Sequence, residues 1–500
     1  MRRRLPLLAP FALALAVFEL AYAKTNDLGY EIVAVESVPA TPAQVEAGKA
    51  IYEESCAQCH GEVGDGQGTM TEFLDPKPRD FTTGAYKVRR TFAGELPTDQ
   101  DVFDAIRRGL PGTSMPAWEG LLTVDQIWAV THYIKTFSED FAKFPPEEQL
   151  VIGSAPPSNE ENLARGRVVY EEMQCAKCHG ETGRGNGPSA AELQDDWSDR
   201  IWPADLTQPW TFRGGGTPED IYRTFVTGMN GTPMPSYAPS IPPEDAWHLT
   251  NYVVSLGREP NREVVVRGLR VEKVPEDPAD PAWADAPVVD FKMSPQIIEA
   301  PRLFTLVNQD VSVQALWDGD EVGILVVWDD RTENSGAGGQ PPDGVAVQFA
   351  AERLDGTEKP YFLMGDRKHP VEIWRWSGAT RAAEAFLAYG SAEVTPKQSS
   401  VVATGGYDDG RYRVLFRRSV ATHGELDAQL AAGDFAPIAF HLWDGANDEE
   451  GLRKAVSAWY YILLEPETPG TVYAWPAVAV CFGIGLELVI LRRVRKRRGA

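Results

Sequence analysis

Hydrophobic and polar positions divide the chain into stretches of different period. Between residues 40 and 257 the apolar positions recur at helical spacing. Thr41-Pro42-Ala43-Gln44 is a capping box with Pro at the first helical position, and it predicts a helix running into Cys56. Thr123-Val124-Asp125-Gln126 is a second box, followed at helical spacing by Ile127, Val130, Ile134 and Phe137. Beyond residue 287 the period changes. Val322 to Trp328 is continuously apolar, whereas Gly344–Phe349, Val371–Trp376 and Tyr412–Arg417 alternate or nearly so, and Phe435–Trp443 and Ala458–Leu464 complete the set. Short strands separated by Gly/Asp turns predict an antiparallel β-sandwich. Stretches rich in Pro and charge, 143–162 and 258–287, read as connections. The resulting expectation is multidomain: two all-α domains at 24–145 and 146–260, a linker at 261–286 and a sandwich at 287–466.

Two further apolar runs lie near the ends. Arg2, Arg3 and Arg4 precede Leu5–Leu20 and the small-x-small site Ala21-Tyr22-Ala23, which predicts a signal peptide over 1–23. Val472–Leu491 is followed at once by Arg492, Arg493, Arg495, Lys496, Arg497 and Arg498. That run predicts a C-terminal transmembrane helix with a basic cytoplasmic tail over 492–500. The expected location is then the bacterial inner membrane, with the bulk of the chain in the periplasm.

The candidate chemistry is concentrated in Cys56-Ala57-Gln58-Cys59-His60 and Cys175-Ala176-Lys177-Cys178-His179. CxxCH attaches c-type haem: the two thiols add across the vinyl groups and the adjacent His reaches the iron. A zinc site would need two further thiol or imidazole ligands near each pair, which neither region supplies. The motifs belong to an internal repeat offset by 119 residues, read as running through the whole unit without a gap. It maps Asp101 to Asp220, Gly109 to Gly228, Trp128 to Trp247 and Tyr133 to Tyr252. It also maps Met115 to Met234, each in a Gly-Thr-x-Met-Pro loop 55 residues after its His, which makes these thioethers the expected sixth ligands. Met70, Met173 and Met229 lack such a counterpart and read as packing. His132 maps to Asn251 and His248 to Ala129, so both histidines read as structural.

Helix, motif, Met loop and helix in that order resemble a class I-like cytochrome c domain over 40–138 and again over 160–257. From periodicity alone the sandwich binds sugar, haem or nothing. Its segments Asp343–Phe349, Tyr361–Asp366, Pro370–Trp376, Trp443–Asn447 and Arg453–Trp459 resemble the haem-b subunit family (gamma subunits) of ethylbenzene and dimethylsulfide dehydrogenases. That resemblance implies a noncovalent haem b held between Met364 and Lys454, with His369 and His441 as fallback ligands. Lysine binds iron only as the neutral amine, so burial and the metal must depress its pKa. This chain departs from that family in joining c-type domains to the sandwich.

Formal net charge is −24, and the chain between the basic ends is more acidic still, a surface that repels nucleic acid. The functional expectation is an electron-transfer subunit, not itself an enzyme, carrying two covalent haems c and one haem b. It would link a respiratory chain, through a soluble cytochrome c or a quinol-oxidising complex, to an exported molybdoenzyme with iron–sulfur subunits. The alternatives are a dihaem carrier whose sandwich binds a carbohydrate or sensor ligand on exposed Trp, and a peroxidase, against which the paired Met loops argue.

Overall fold

The computed structural model describes residues 23–304, 310–354, 358–422, 424, 426–466 and 471–498; all but the last residue of the expected signal peptide lie outside them. The chain forms two compact units, 1–258 and 259–500.

The first unit holds the helices α1 (Pro42–Ser55), α2 (Ala57–His60), α3 (Asp99–Arg108), α4 (Val124–Lys135), α5 (Asp140–Lys143), α6 (Glu160–Glu172), α7 (Ala176–His179), α8 (Pro218–Thr227) and α9 (Pro243–Leu256). Both expected capping boxes are present, at Thr41 with Gln44 and at Thr123 with Gln126. Ile127, Val130 and Ile134 are buried in one cluster with Tyr52 and Phe103. In each repeat the helix before the haem motif crosses the last helix at backbone distance. A Cβ on Gly48 would lie 2.0 Å from the Ala129 carbonyl oxygen, and one on Gly166 would lie 2.0 Å from that of His248, so no other residue fits either crossing. The repeat pairs persist in space: Phe103 stacks on Trp128 at 4.4 Å, and Tyr222 on Trp247 at 4.2 Å. Asp101 and Asp220 hold equivalent positions at the starts of α3 and α8, their backbone N–H groups donating to the capping hydroxyls of Thr98 and Thr217.

One detail of the repeat changes. Gly48 and Tyr52 are matched by Gly166 and Tyr170, an offset of 118, whereas the cysteines differ by 119. The extra residue is Gln174, which sits between α6 and the second motif at φ 58. A left-handed residue takes up one position of chain without displacing either helix. The 143–162 connection also contributes structure: β3 (Glu148–Leu150) pairs antiparallel with β2 (Glu31–Ala34), which pairs with β1 (Lys24–Thr25).

The second unit is a β-sandwich of β4 (Val265–Arg270), β5 (Val289–Ser294), β6 (Asp310–Trp317), β7 (Glu321–Asp329), β8 (Gly344–Ala350), β9 (Val371–Ser377), β10 (Ala383–Ala388), β11 (Val394–Pro396), β12 (Val402–Asp408), β13 (Arg411–Ser419), β14 (Phe435–Trp443), β15 (Ala455–Ser457) and β16 (Tyr460–Leu464). Hydrogen bonding runs in the order β11-β10-β9-β8-β14-β15-β5-β6-β7-β13-β12, antiparallel throughout. β4 lies within the stretch expected as a linker and pairs in parallel with both β16 and β6. The continuous apolar run in β7 has a physical cause. Val322, Ile324, Val326 and Trp328 face the main core, while Leu325 and Val327 pack under Trp283 and Leu415. A strand buried on both faces has no polar alternation to show.

The expected transmembrane helix is corrected by the structure. Residues Thr471–Arg498 form one helix, α10, but among the described residues no helix is long and apolar enough to cross a membrane. The apolar stretch and the basic stretch expected as a tail are a single continuous helix, with Glu487 inside the apolar part, so a short apolar segment merges directly into charge. The single-helix anchor is therefore set aside.

Candidate haem sites

Each CxxCH motif is a one-turn helix, α2 or α7, whose last residue is the His. Both imidazoles are fixed the same way: His60 Nδ1 lies 3.1 Å from the Arg79 carbonyl oxygen, and His179 Nδ1 lies 2.9 Å from that of Ala204. A carbonyl only accepts, so Nδ1 carries the proton and Nε2 keeps its lone pair for a metal. Burial also lowers both pKa values, favouring the neutral ring. None of the four motif cysteines is in a disulfide. Burial pushes the Cys56 thiol up to about 12 and the Cys175 thiol up to about 11.

The methionine loops are built identically. Gly109 and Gly228, at φ 67 and 71, end α3 and α8. A Cβ on either would come within 2.5 Å of the backbone after the Met-Pro pair. Thr113 Oγ1 donates to Leu110 O at 2.7 Å and accepts from Met115 N at 3.1 Å; Thr232 does the same with Met229 O and Met234 N at 2.8 and 3.2 Å. The Thr of the motif thus locks the loop that presents each half-buried thioether. Met173 packs against the second core and Met229 supplies its backbone to the loop, while His132 is buried beside Trp128. His248 faces Glu244.

Three donors in the first repeat are buried without a partner: Arg79 Nη1, Tyr86 Oη and Trp118 Nε1. Phe81 stacks on both His60 and Tyr86, at 4.5 and 5.9 Å, which places Tyr86 beside the motif. Lys87 is pushed down to about 6 by burial and by Arg213 and Arg79. Buried cationic and hydroxyl donors lacking an acceptor fit a bound dianion, the chemistry of haem propionates. The sequence offered no spacing signal for this cradle.

The sandwich holds a second kind of site, on the outer face of one sheet. Inner positions Val345, Val347, Trp374, Trp376, Phe440 and Leu442 fill the core. The alternate positions Ala346, Ile373, Ala439 and Trp443 turn outward and form an apolar patch with Met364 and Trp459. Lys454 reaches into it with 1% exposure. Its Nζ is 3.3 Å from Met364 Sδ, 3.2 Å from His441 Nδ1 and 5.0 Å from the Trp443 ring. Burial, and then the charge of Arg375, lower the Lys454 pKa to about 7. Met364 is held at φ 65, an unfavourable conformation for a side chain with a Cβ, by Gly390 N donating to its carbonyl at 2.9 Å. Gln348 Oε1, Arg375 Nε and His441 Nε2 are buried around this face without partners. A patch lined by small apolar residues, crossed by a thioether, an amine and an imidazole, and ringed with unsatisfied polar atoms suits a flat apolar cofactor with polar edges. His441 is thus brought together with Met364 and Lys454, whereas His369 is turned toward Glu352 and Glu358.

Two helical haem-motif domains joined to a sandwich with a buried thioether–amine site define a haem-binding electron-transfer cytochrome. The chain carries two domains of the cytochrome c oxidase, cbb3-type, subunit III family, matching residues 43–134 and 161–253, and an ethylbenzene dehydrogenase family domain matching residues 280–398. Among its relatives, the provisionally named respiratory nitrate reductase heme subunit ORF7 of Haloferax mediterranei is 29% identical over 48% of this chain and 87% of that protein. The cbb3-type cytochrome c oxidase subunit CcoP of Azospirillum sp. is 30% identical over 42% of this chain and 61% of its own length. Dimethylsulfide dehydrogenase subunit gamma of Rhodovulum sulfidophilum is 27% identical over 39% and 77%.

Proposed function

We propose that the chain is an exported trihaem electron-transfer subunit, with two haems c on the repeats and one haem b on the sandwich, serving a catalytic oxidoreductase subunit of the molybdoenzyme type. The chain is not itself the catalyst; relatives named as a nitrate reductase haem subunit and a dimethylsulfide dehydrogenase gamma subunit support a role within such a complex. Haem supplies one-electron chemistry when bound. The residues that would hold it are Cys56, Cys59, His60 and Met115; Cys175, Cys178, His179 and Met234; and Met364 with Lys454.

The observation that carries the reading is the approach of Lys454 Nζ to Met364 Sδ at 3.3 Å, from positions 90 residues apart. An amine depressed to about 7 by burial is available as a lone-pair donor at neutral pH, which an exposed lysine is not. Depositing that amine beside a sulfur in an apolar patch has no structural benefit of its own, since burial of an unpaired cation is costly.

The carbohydrate reading loses its platform. Trp283, Trp317, Trp328, Trp374, Trp376, Trp443 and Trp459 are all at most 9% exposed, so the sandwich presents none of them to a sugar. A pyridine haemochrome spectrum tests the assignment: the wild-type chain is expected to show b- and c-type signals in a ratio of one to two. Lys454→Arg is expected to abolish or shift the b signal and spare the c signals, because guanidinium stays protonated and has no lone pair to donate. A native b spectrum in that variant would transfer the ligand role to His441.

A further inference from the structure

The second methionine loop is held from the other repeat. Arg89 lies in the first repeat, outside every helix and strand, and is 1% exposed. Its guanidinium donates from Nη2 to Thr227 O at 2.8 Å and from Nη1 to Gly228 O at 3.2 Å. Its other hydrogen bonds go to the carbonyls of Tyr86 and Phe92 in its own segment. Asp101 and Glu95 are the acids whose charge reaches it, and neither hydrogen-bonds it among the described residues. Burial lowers the Arg89 pKa to about 10, which leaves a cation at neutral pH. A buried cation without a bonded carboxylate needs another source of negative potential. The open end of α8 supplies it. Thr227 is the last residue of that helix and Gly228 caps it, at the end where a helix carries about half a negative charge.

This helix end is also the start of the Met loop, and its carbonyls are divided between two sources. Tyr237 N donates to Phe225 O at 2.8 Å and Ser236 Oγ to Val226 O at 2.6 Å, so the residues just after Met234 and Pro235 close the first pair. Arg89 closes the next pair, Thr227 and Gly228, from the first repeat. The grip continues along the loop. Gly94 N donates to Asn230 Oδ1 and Asn230 Nδ2 to Glu95 O, both at 3.2 Å. A Cβ on Gly231 would lie 2.8 Å from Arg79 Nη1, and the Arg79 carbonyl is the one that fixes His60. Residues 79–95 thus hold the His of one motif and the Met loop of the other. Gln208, which stands at the repeat offset from Arg89, sends its amide to Asp205 in its own repeat.

We propose that Arg89 is a positioning residue for Met234, acting across the repeat boundary through the carbonyls of Thr227 and Gly228, a role that rests on Met234 being the sixth ligand of the second haem c. The potential of the second haem then depends on the first repeat, and the two c-type domains work as one unit rather than as two tethered carriers. Packing alone would not call for a cation here, since a hydroxyl closes the neighbouring carbonyl of Val226.

The test uses the full, haem-loaded chain in a Met115→Ala background, where the far-red sulfur-to-iron band reports Met234 alone. Intact mass first establishes two covalent haems in each variant. Arg89→Gln removes the charge and is expected to lose most of that band and to lower the second haem's midpoint potential, because Met ligation is what raises it. Arg89→Lys keeps the cation without the planar fork and is expected to restore part of both. In a Met234→Ala background the Met115 band is expected to be indifferent to residue 89, whose side chain bonds nothing in the first Met loop. A purely structural contact would lower the unfolding midpoint and leave the band and potential of the folded chain where they were. The role is overturned if band and potential both survive Arg89→Gln, or if the Met115 band falls as far as the Met234 band. A Met115→Ala chain that lacks the band with Arg89 in place overturns Met234 as a ligand, and this role with it. Should Arg89→Gln fail to assemble, Arg89→Lys decides: a band and potential identical to those of the Arg89 parent overturn the role.

Discussion

The two cytochrome repeats carry the same chemistry on nearly the same frame, and they differ at the joint that precedes the haem motif. In the first, α1 runs directly into Cys56, which caps it. In the second, α6 stops at Glu172, Met173 caps it and Gln174 turns left-handed before Cys175. Downstream the same kinds of contact recur, the Thr-locked Met loop and the aromatic stack on the last helix at matching positions, while the carbonyl that fixes the His lies 19 residues after His60 and 25 after His179. The difference teaches where such a domain tolerates change. The Gly-mediated helix crossing fixes one body and the motif with its Met loop fixes another. A single left-handed residue at the joint absorbs the one-residue register slip between them.

The largest test of that equivalence removes one motif. Cys175→Ser with Cys178→Ser is expected to reduce the covalent mass increment from two haems to one, read by intact mass spectrometry. Retention of two would mean the repeats are not independent attachment sites. A smaller effect is expected at the Met loops. Met115→Ala and Met234→Ala should each lower one c-haem potential by on the order of 0.1 V, a fraction of the roughly 0.8 V that axial ligation spans. Each should also remove half of the far-red sulfur-to-iron absorption. If the full band survives both changes, the thioethers only pack.

These features differ in how legible they were in the chain. Cys56 to His60 are consecutive, so their chemistry is written in one turn of helix and duplicated 119 residues on. The Met loops were readable for the same reason. The slip at Gln174 was hidden because the residues that reveal it, Gly48 with Gly166 and Tyr52 with Tyr170, matter through tertiary contacts: the glycines at the far helix, the tyrosines also through hydroxyls that donate to Gly61 O and Gly180 O. In the sandwich, alternation located the strands, yet the β7 run concealed a strand covered on both faces. β4 fell inside an apparent linker because parallel pairing with β16 and β6 joins distant segments. Lys454 and Met364 came from family resemblance alone, since nothing in either neighbourhood signals the other. The anchor failed because the basic stretch, read as a tail that ends the span, continues the same helix as the apolar stretch, and among the described residues no helix is long and apolar enough to cross a membrane.

The smallest expected effect lies at the joint itself. Gln174 is exposed and adopts φ 58, where a side chain with a Cβ costs about 1–2 kcal/mol relative to glycine. Glycine in the same place adds unfolded-chain entropy worth about 0.4–1 kcal/mol, which opposes the gain. The net for Gln174→Gly is therefore a stabilisation of about 0.5–1 kcal/mol, confined to the second repeat. A multidomain chain does not unfold in one step, so a global midpoint would blur so small a change. Placing the substitution in a Met115→Ala background leaves only the second repeat's sulfur-to-iron band, and its loss with denaturant then reports that repeat alone. The midpoint is expected to rise. A fall would show that the Gln174 side chain, rather than its backbone turn, holds the joint. No change would mean that the second repeat relieves its left-handed residue elsewhere.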